Sequence, residues 1–550
     1  MESPFSFLRR EWQALTIFGG VYVIVMLIGV LAVDPAFFYP RLQTDPLLYY
    51  LKGLAFVETG STVARAVINR RPFQYAAMPG VLRAPFMMMF SDFDNQLRAI
   101  QLSNIVLITI TALMFAYVLS WALPRSKHWM AIGFTFGFFL LNPEWVANVF
   151  SPLADAPYAA FTFGTIIVAT RVLTSARPFS RLPAIAGGSL LFALSFMVKF
   201  TAPVLAVFAA ALGAGRPRER AMPRRTKILV SLAILAGIAI LVFLNWNPIV
   251  WRYLPEPVGY LLFASKSGMF LNLTGFSIPA QIIPVYHLAF AHDPIVRPYS
   301  PVFGTTPGDI VLTAVGVGLS LVMFYGMWRA RARFMPEILY FLAALPVITL
   351  MMPSTRRYLM AYAPLIWIFF YVGAASLLSP VSRRVKFPRL SPLARFGLAF
   401  ASVLVLILVR SQRVVGSTGE RSAGISIGST RGYIDQVTST FRSLRGFLET
   451  LPRDRALLMG APGTRGRWTV ISDLKYYYPD SALSMAARKH DIYVVVECGA
   501  IEVCQDFENW DARFRATVDR VGVGPFDYEP VFSRSTEHAK ARVYRLTNPQ

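Results

Sequence analysis

The apolar positions of this chain come in long uninterrupted blocks, with neither the alternation of a half-buried strand nor the stripe of a surface helix. A bilayer core takes about 20 apolar residues per helix. By that measure the blocks at 13–33, 98–123, 129–149, 152–173, 182–198, 200–214, 228–246, 309–328, 336–352, 357–378 and 396–409 read as transmembrane spans, roughly eleven in all. Arg9 and Arg10 precede the first block as they would in a signal peptide. That block is long enough to span, and no small-residue cleavage site follows it, so it reads as the first transmembrane helix.

The connections between blocks are of two kinds. Basic residues gather at Arg9 and Arg10, at Arg125 and Lys127, at 171–181, at 216–227, at Arg329, Arg331 and Arg333, and at 383–395. These occupy alternate connections, which places them in the cytoplasm. The long connections, 34–97 and 248–308, then lie outside together with everything after Arg410. Within 34–97, the stretch 46–57 has helix-like apolar and aromatic spacing and stops at Gly60, as a helix lying on the membrane face would. The prolines and glycine of 71–86 predict irregular backbone, followed by an apolar run at 87–90 and a polar turn at 91–95. The connection 248–308 is rich in proline and aromatics, including Tyr253, Tyr260, Tyr286, His287, His292 and Tyr299. It reads as a lid or as an interfacial aromatic belt.

From about Gly416 the blocks stop and charges of both signs rise. Helices are expected at 432–451, 468–478 and 481–488, and strands at 456–459, 492–496 and 541–546. The expected architecture is therefore an α-helical polytopic membrane domain over residues 1–412, followed by an extracytoplasmic α/β domain over 413–550. At about 130 residues the second part has ordinary domain size.

Composition agrees. Of 550 residues, 55% are hydrophobic and 15% charged, against roughly 25% charged in a soluble chain. The net charge of +24 would suggest nucleic acid in a soluble protein, but the basic residues sit mainly in short loops, where topology explains them. Only two cysteines occur, Cys498 and Cys504, so no disulfide framework or zinc cluster is implied; outside the cytoplasm the pair is able to oxidise. No P-loop, no dinucleotide fingerprint and no HExxH is present, and the five histidines are scattered. A nucleotide-driven cytosolic enzyme or pump is unsupported.

Chemistry falls to a few residues. Asp45 stands in Thr44-Asp45-Pro46, where an acid before proline caps a helix; the alternative is a general base held at the membrane face beside Tyr49 and Tyr50. Asp155 enters the end of the fourth span, where an acid is a functional candidate by default or a wet helix-end residue. Lys199, in Val198-Lys199-Phe200-Thr201, and Arg356 and Arg357 are basic residues on the outer side. They either snorkel or hold the phosphate of an anionic lipid, for which guanidinium forks are suited.

The order of these elements resembles the GT-C class of integral-membrane glycosyltransferases, especially the branch with protein O-mannosyltransferases and the lipid A aminoarabinose transferase. After the first span come Asp45, Tyr49, Tyr50 and Gly60. Pro79-Gly80 precedes a second span opened by Arg98, Asp155 follows in the next outer loop, then Lys199 and Thr201, then Arg357-Tyr358 with Tyr362 and Pro364. The likeness covers about 13–378. The commonest form of the first loop has paired acids, whereas this chain has one acid followed by proline.

The resemblance implies a GT-C fold and transfer of a sugar from a polyprenyl-phosphate donor to an envelope lipid, glycan or protein acceptor, by one inverting displacement on the outer face of the inner membrane. Asp45 and Asp155 would be catalytic, with Asp45 activating the acceptor hydroxyl. Lys199, Arg356 and Arg357 would hold the departing phosphate, and Tyr49, Tyr50, Arg83 and Tyr358 the sugar or acceptor. No cofactor is expected, although such chemistry accommodates a divalent metal. Membrane lipids are the surroundings, and no nucleic-acid partner is expected. The competing readings are a lipid or sugar transporter, which would need two matching halves with broken helices that the sequence does not show, and a non-catalytic envelope scaffold.

Overall fold

The computed structural model describes residues 4–41, 45–59, 78–141, 143–151, 155–174, 182–198, 307–351, 362–384, 427–460, 467–472, 474–476, 483–498, 507–522, 525–537 and 539–547. The blocks expected at 200–214, 228–246 and 396–409, the connection 248–306, and the site candidates Lys199, Arg356, Arg357 and Tyr358 lie outside these residues.

The N-terminal part is helical. A short helix, Pro4–Arg10 (α1), leads into Trp12–Ala32 (α2). A 3-10 segment, Pro35–Arg41, follows, then the surface helix Asp45–Thr59 (α3), one helical turn at Met78–Val81 (α4), and Ala84–Met89 (α5). Next is the long helix Phe93–Ser120 (α6), capped by the Asp92 carboxylate on Asn95 N at 3.1 Å. That cap starts the helix five residues ahead of the apolar block. Then come His128–Leu141 (α7), Pro143–Phe150 (α8), Asp155–Thr174 (α9) and Leu182–Val198 (α10). The last two are Pro307–Met351 (α11) and Ala363–Arg384 (α12). Among the described residues α2 and α6 are long and apolar enough by themselves to cross a bilayer.

One expected span is interrupted, and two others are joined across a kink. The block 129–149 is two helices, because Pro143 cannot continue α7 and instead occupies the first position of α8. The blocks 309–328 and 336–352 meet within α11 at Phe334, whose backbone leaves the helical region (φ −121, ψ 25). Pro336, two residues on, has no N–H for the carbonyl of Ala332 and crowds it, which accounts for the break.

The C-terminal part opens on the helix Ile427–Glu449 (α13). It contains a five-stranded sheet in the order β2-β1-β3-β5-β4, with strands Ala456–Gly460 (β1), Lys475–Tyr476 (β2), Asp491–Cys498 (β3), Asp527–Ser535 (β4) and Lys540–Thr547 (β5). β1 runs parallel to β2 and β3; β5 runs antiparallel to β3 and β4. Arg467–Ser472 (α14), Leu483–Lys489 (α15) and Phe507–Gly522 (α16) complete it. The expected helix 468–478 is shorter and gives way to β2, and α16 and β4 were not expected. β3 is buried along almost its whole length because helices cover both faces of the sheet, so it reads as a continuous apolar run. Cys498 is disulfide-bonded, and the chain has one other cysteine, Cys504.

The two parts share a core. Ala36, Phe38, Tyr39, Tyr50, Phe93, Leu97 and Ile100 pack in one cluster with Val437, Phe441, Leu444, Trp468, Tyr493 and Val543. The α/β domain therefore sits on the segment between α2 and α6.

Candidate functional site

The segment between α2 and α6 is built by close approach. A Cβ on Gly80 would lie 2.7 Å from Gly53 N and 2.7 Å from Tyr49 O; a Cβ on Gly53 would lie 2.9 Å from Gly80 O. Only glycine at both places lets α4 lie on the backbone of α3. The Pro-Gly pair noticed in the sequence is thus the seat of the surface helix.

Gln96, buried near the start of α6, holds the neighbouring pieces. It accepts from the Tyr50 hydroxyl and donates to Phe90 O at 2.6 Å and Met87 O at 3.3 Å, at the end of α5. Tyr50 is 1% exposed with its hydroxyl spent on Gln96, so it anchors α3. Tyr49, on the adjoining face, packs into the core of the helical domain. Arg83 stands just ahead of α5 and is buried, its guanidinium donating to Pro79 O of α4. Burial pushes its guanidinium down to about 10, with Tyr49 offsetting part of the shift, so it stays charged at neutral pH. Lys52 is also buried in α3. Asp45 is the first residue of α3.

Arg98 closes the end of the first span. Its guanidinium donates to Val30 O at 2.9 Å, Leu31 O at 3.4 Å and Val33 O at 3.4 Å. These are the carbonyls that a helix C-terminus leaves without intrahelical partners, and a cation there also suits the helix dipole.

A second loop meets the first. Gln101 Nε2 donates to Phe150 O at 3.2 Å, and Asn104 Nδ2 donates to Val149 O at 3.3 Å and Ser151 O at 3.2 Å. The end of α8 is thereby tied to α6 just ahead of Asp155. Phe38 of the 3-10 segment stacks on Phe150, centroids 5.0 Å apart and planes 9° apart. The connections that carry Asp45 and Asp155 therefore lie at the same end of the helical layer. Asp155 is 2% exposed in the first turn of α9, where the N-terminal dipole favours a carboxylate.

The described neighbours of the remaining candidates converge here too. α9 and α10 pack side by side, with Thr162 Oγ1 and Ser195 Oγ 3.0 Å apart and Gly164 against Leu191, so they run antiparallel. Their register brings the end of α10, at Val198, to the level of Tyr158, one turn from Asp155. α10 also touches α4. Tyr158 and Tyr362 have hydroxyls 3.5 Å apart, and Tyr362 packs on Tyr340 at 5.3 Å. All three tyrosines are buried. Lys199 follows Val198 in sequence, and Arg356–Tyr358 precede Tyr362 by a few residues.

Gln96, Gln101 and Asn104 were not singled out from the sequence. Their signal was present: polar side chains recurring on a membrane-length helix are costly unless they are bonded. Among the described residues no three His, Cys, Asp or Glu side chains gather as metal ligands would.

Comparison with known proteins bears on this arrangement. No family model and no curated protein matches the sequence. Solved structures do. The apo oligosaccharyltransferase of Archaeoglobus fulgidus aligns over 98% of this chain and 74% of its own, at 11% identity and a TM-score of 0.51. The chain has a GT-C fold. ArnT from Cupriavidus metallidurans aligns over 96% of this chain and 99% of its own in the apo state, at 12% identity and a TM-score of 0.47. Its structure bound to undecaprenyl phosphate aligns over 97% and 100%, at 11% identity and 0.46. At such identities the likeness is of fold, and the GT-C architecture agrees with a helical layer bearing a C-terminal domain.

Proposed function

We propose that this chain is a membrane glycosyltransferase that moves a sugar from a polyprenyl-phosphate carrier to an envelope lipid, glycan or protein acceptor on the outer face of the inner membrane. The observation that carries the reading is the meeting of the Asp45 and Asp155 connections at one end of a GT-C fold, through Phe38 on Phe150 and through Gln101 and Asn104. One solved structure that shares the fold is an oligosaccharyltransferase. Cys498, being disulfide-bonded, suits a compartment outside the cytoplasm.

In this reading Asp45 takes the proton of the acceptor hydroxyl as it attacks the anomeric carbon. The bond from that carbon to the phosphate oxygen breaks in the same displacement, with inversion, and lipid phosphate departs. General-base help of this kind is worth roughly 10²–10⁴-fold. Asp155, buried at the head of α9, orients the acceptor or stabilises positive charge developing on the sugar. Lys199, Arg356 and Arg357 receive the charge gathering on the leaving phosphate. Tyr49, Arg83 and Tyr358 contact the sugar or acceptor, while Tyr50, bonded to Gln96, fixes the helix that presents them. No cofactor is invoked.

The test is a transfer assay with radiolabelled polyprenyl-phosphate sugars and envelope extract, run on purified wild type, Asp45→Asn and Asp155→Asn, with and without EDTA. Wild type is expected to label an acceptor, and Asp45→Asn to lose about 10²-fold or more. Normal turnover by Asp45→Asn removes that residue from the role of base. Movement of lipid or sugar across liposomes without label transfer turns the reading to transport, and EDTA sensitivity would bring in a metal.

A further inference from the structure

The α/β domain reaches the surface helix α3 through a continuous line of rings. Phe441 of α13 stacks on Trp468 of α14, centroids 6.0 Å apart at 17°. Trp468 meets Tyr39 of the 3-10 segment edge-on at 6.0 Å, Tyr39 meets Phe93 at 5.6 Å, and Phe93 meets Tyr50 of α3 at 5.3 Å. Trp468 is 3% exposed, so the line is closed to water where it crosses between domains.

Beside it lies a charged hub. Arg445 of α13 donates from Nη1 to Asp94 at 2.7 Å and to the Tyr39 hydroxyl at 2.7 Å, from Nη2 to Asp92 at 3.2 Å, and from Nε to Glu449 at 2.7 Å. Tyr39 in turn donates to the other Asp94 oxygen at 2.6 Å. Burial pulls the Arg445 guanidinium down, but its bonds to Glu449, Tyr39 and Asp94 outweigh this and hold it charged. Asp92 is also the cap of α6. One guanidinium thus joins α13 to the 3-10 segment and to the start of the helix on which α3 is anchored.

We infer that Trp468 and Arg445 are positioning residues: the α/β domain holds α3, and with it the first residue of that helix, in place against α6. In what it says of catalysis the inference rests on the transferase reading; in what it says of α3 it does not. A planar ring is needed at 468 to meet Phe441 face-on and Tyr39 edge-on. A fork is needed at 445, because three separate carboxylates and a phenol are met at fixed directions, which an ammonium point charge does not reproduce.

Hydrogen exchange on the full-length protein in nanodiscs tests this without any assay of activity. The variants are Trp468→Ala, Trp468→Phe, Arg445→Gln and Arg445→Lys. Two regions are read: α3, Asp45–Thr59, and β3, Asp491–Cys498, which reports whether the α/β domain itself is folded. With β3 protected as in wild type, Trp468→Ala and Arg445→Gln are expected to speed exchange in α3 by about tenfold or more. Trp468→Phe should restore wild-type protection, and Arg445→Lys should restore it in part. Unchanged α3 protection in both disruptive variants with β3 intact overturns the inference. If Trp468→Ala also exposes β3, the decision falls to Arg445→Gln, whose side chain lies outside the strand core. Wild-type protein that transfers no sugar yet shows this pattern would sink the transferase reading and leave the coupling standing.

Discussion

At the scale of single residues, the best-determined feature of the site is an absence of side chain. Gly53 and Gly80 bring two backbones together, and everything that α3 presents depends on that approach. In Gly80→Ala the new methyl would meet Gly53 N and Tyr49 O, which are backbone atoms that cannot rotate away. Overpacking of this kind costs roughly 1–3 kcal/mol. The expected outcome is a lower melting temperature for the purified protein and weaker protection of α3, measurable by thermal-shift and exchange experiments; an unchanged melting temperature would show that α4 can move aside freely. Gly446, by contrast, has open space where its Cβ would be, so Gly446→Ala is the matched control and should leave the melting temperature unchanged or slightly raised, alanine being the better helix former. The sequence already displayed Pro79-Gly80 as a motif. That Gly53 is its counterpart depends on a contact across 26 intervening positions, which spacing does not reveal.

At the scale of elements, Arg98 shows how a family-like marker works physically. The sequence marked it as the residue opening the second span, and the structure makes it the cap on the end of the first. Arg98→Leu leaves those carbonyls without their cation and should cost about 1–2 kcal/mol. Thermal melting of Arg98→Leu and Arg98→Lys checks this: lysine should recover part of the loss through charge alone, and equal stability of all three proteins would reduce the contact to an incidental one. The same scale shows what was legible. Blocks such as 13–33 and 182–198 became α2 and α10 almost residue for residue, because hydrophobic length is a strong signal. The interruption at Pro143 was missed because a block average smooths over one proline. α16 was missed although Phe507, Trp510, Phe514 and Val518 recur at helical spacing, since charged residues dominate the count between them. β4 offered no alternation to read: it is an edge strand, exposed along much of its length, with Pro530 at a shift of register. The hub at Arg445 joins positions more than 350 apart in sequence, and no local pattern encodes that.

At the scale of the whole molecule, the shared core turns topology into a single question. The segment between α2 and α6 packs in one cluster with α13, α14 and the sheet, so both lie on the same side of the membrane. The basic residues Arg329, Arg331 and Arg333 precede the break in α11, where a cytoplasmic turn is expected from charge. Under the proposed transferase reading, one side assignment therefore fixes the side of the chemistry, and with it the class of donor, since a lipid-linked sugar is needed only where nucleotide sugars are absent. Cys498 favours the outside, because a structural disulfide persists in an oxidising compartment. We expect a reporter fused after Gln550 to be active only as an exported enzyme, and Arg331→Cys, in a background where Cys498 and Cys504 are replaced, to react with a membrane-impermeant thiol reagent only after the membrane is opened. The opposite pattern at both positions would turn the molecule over. Asp45 and Asp155 would then face the cytoplasm, the polyprenyl-phosphate donor would lose its rationale, and the cationic candidates Lys199, Arg356 and Arg357 would have to be read against a nucleotide diphosphate instead.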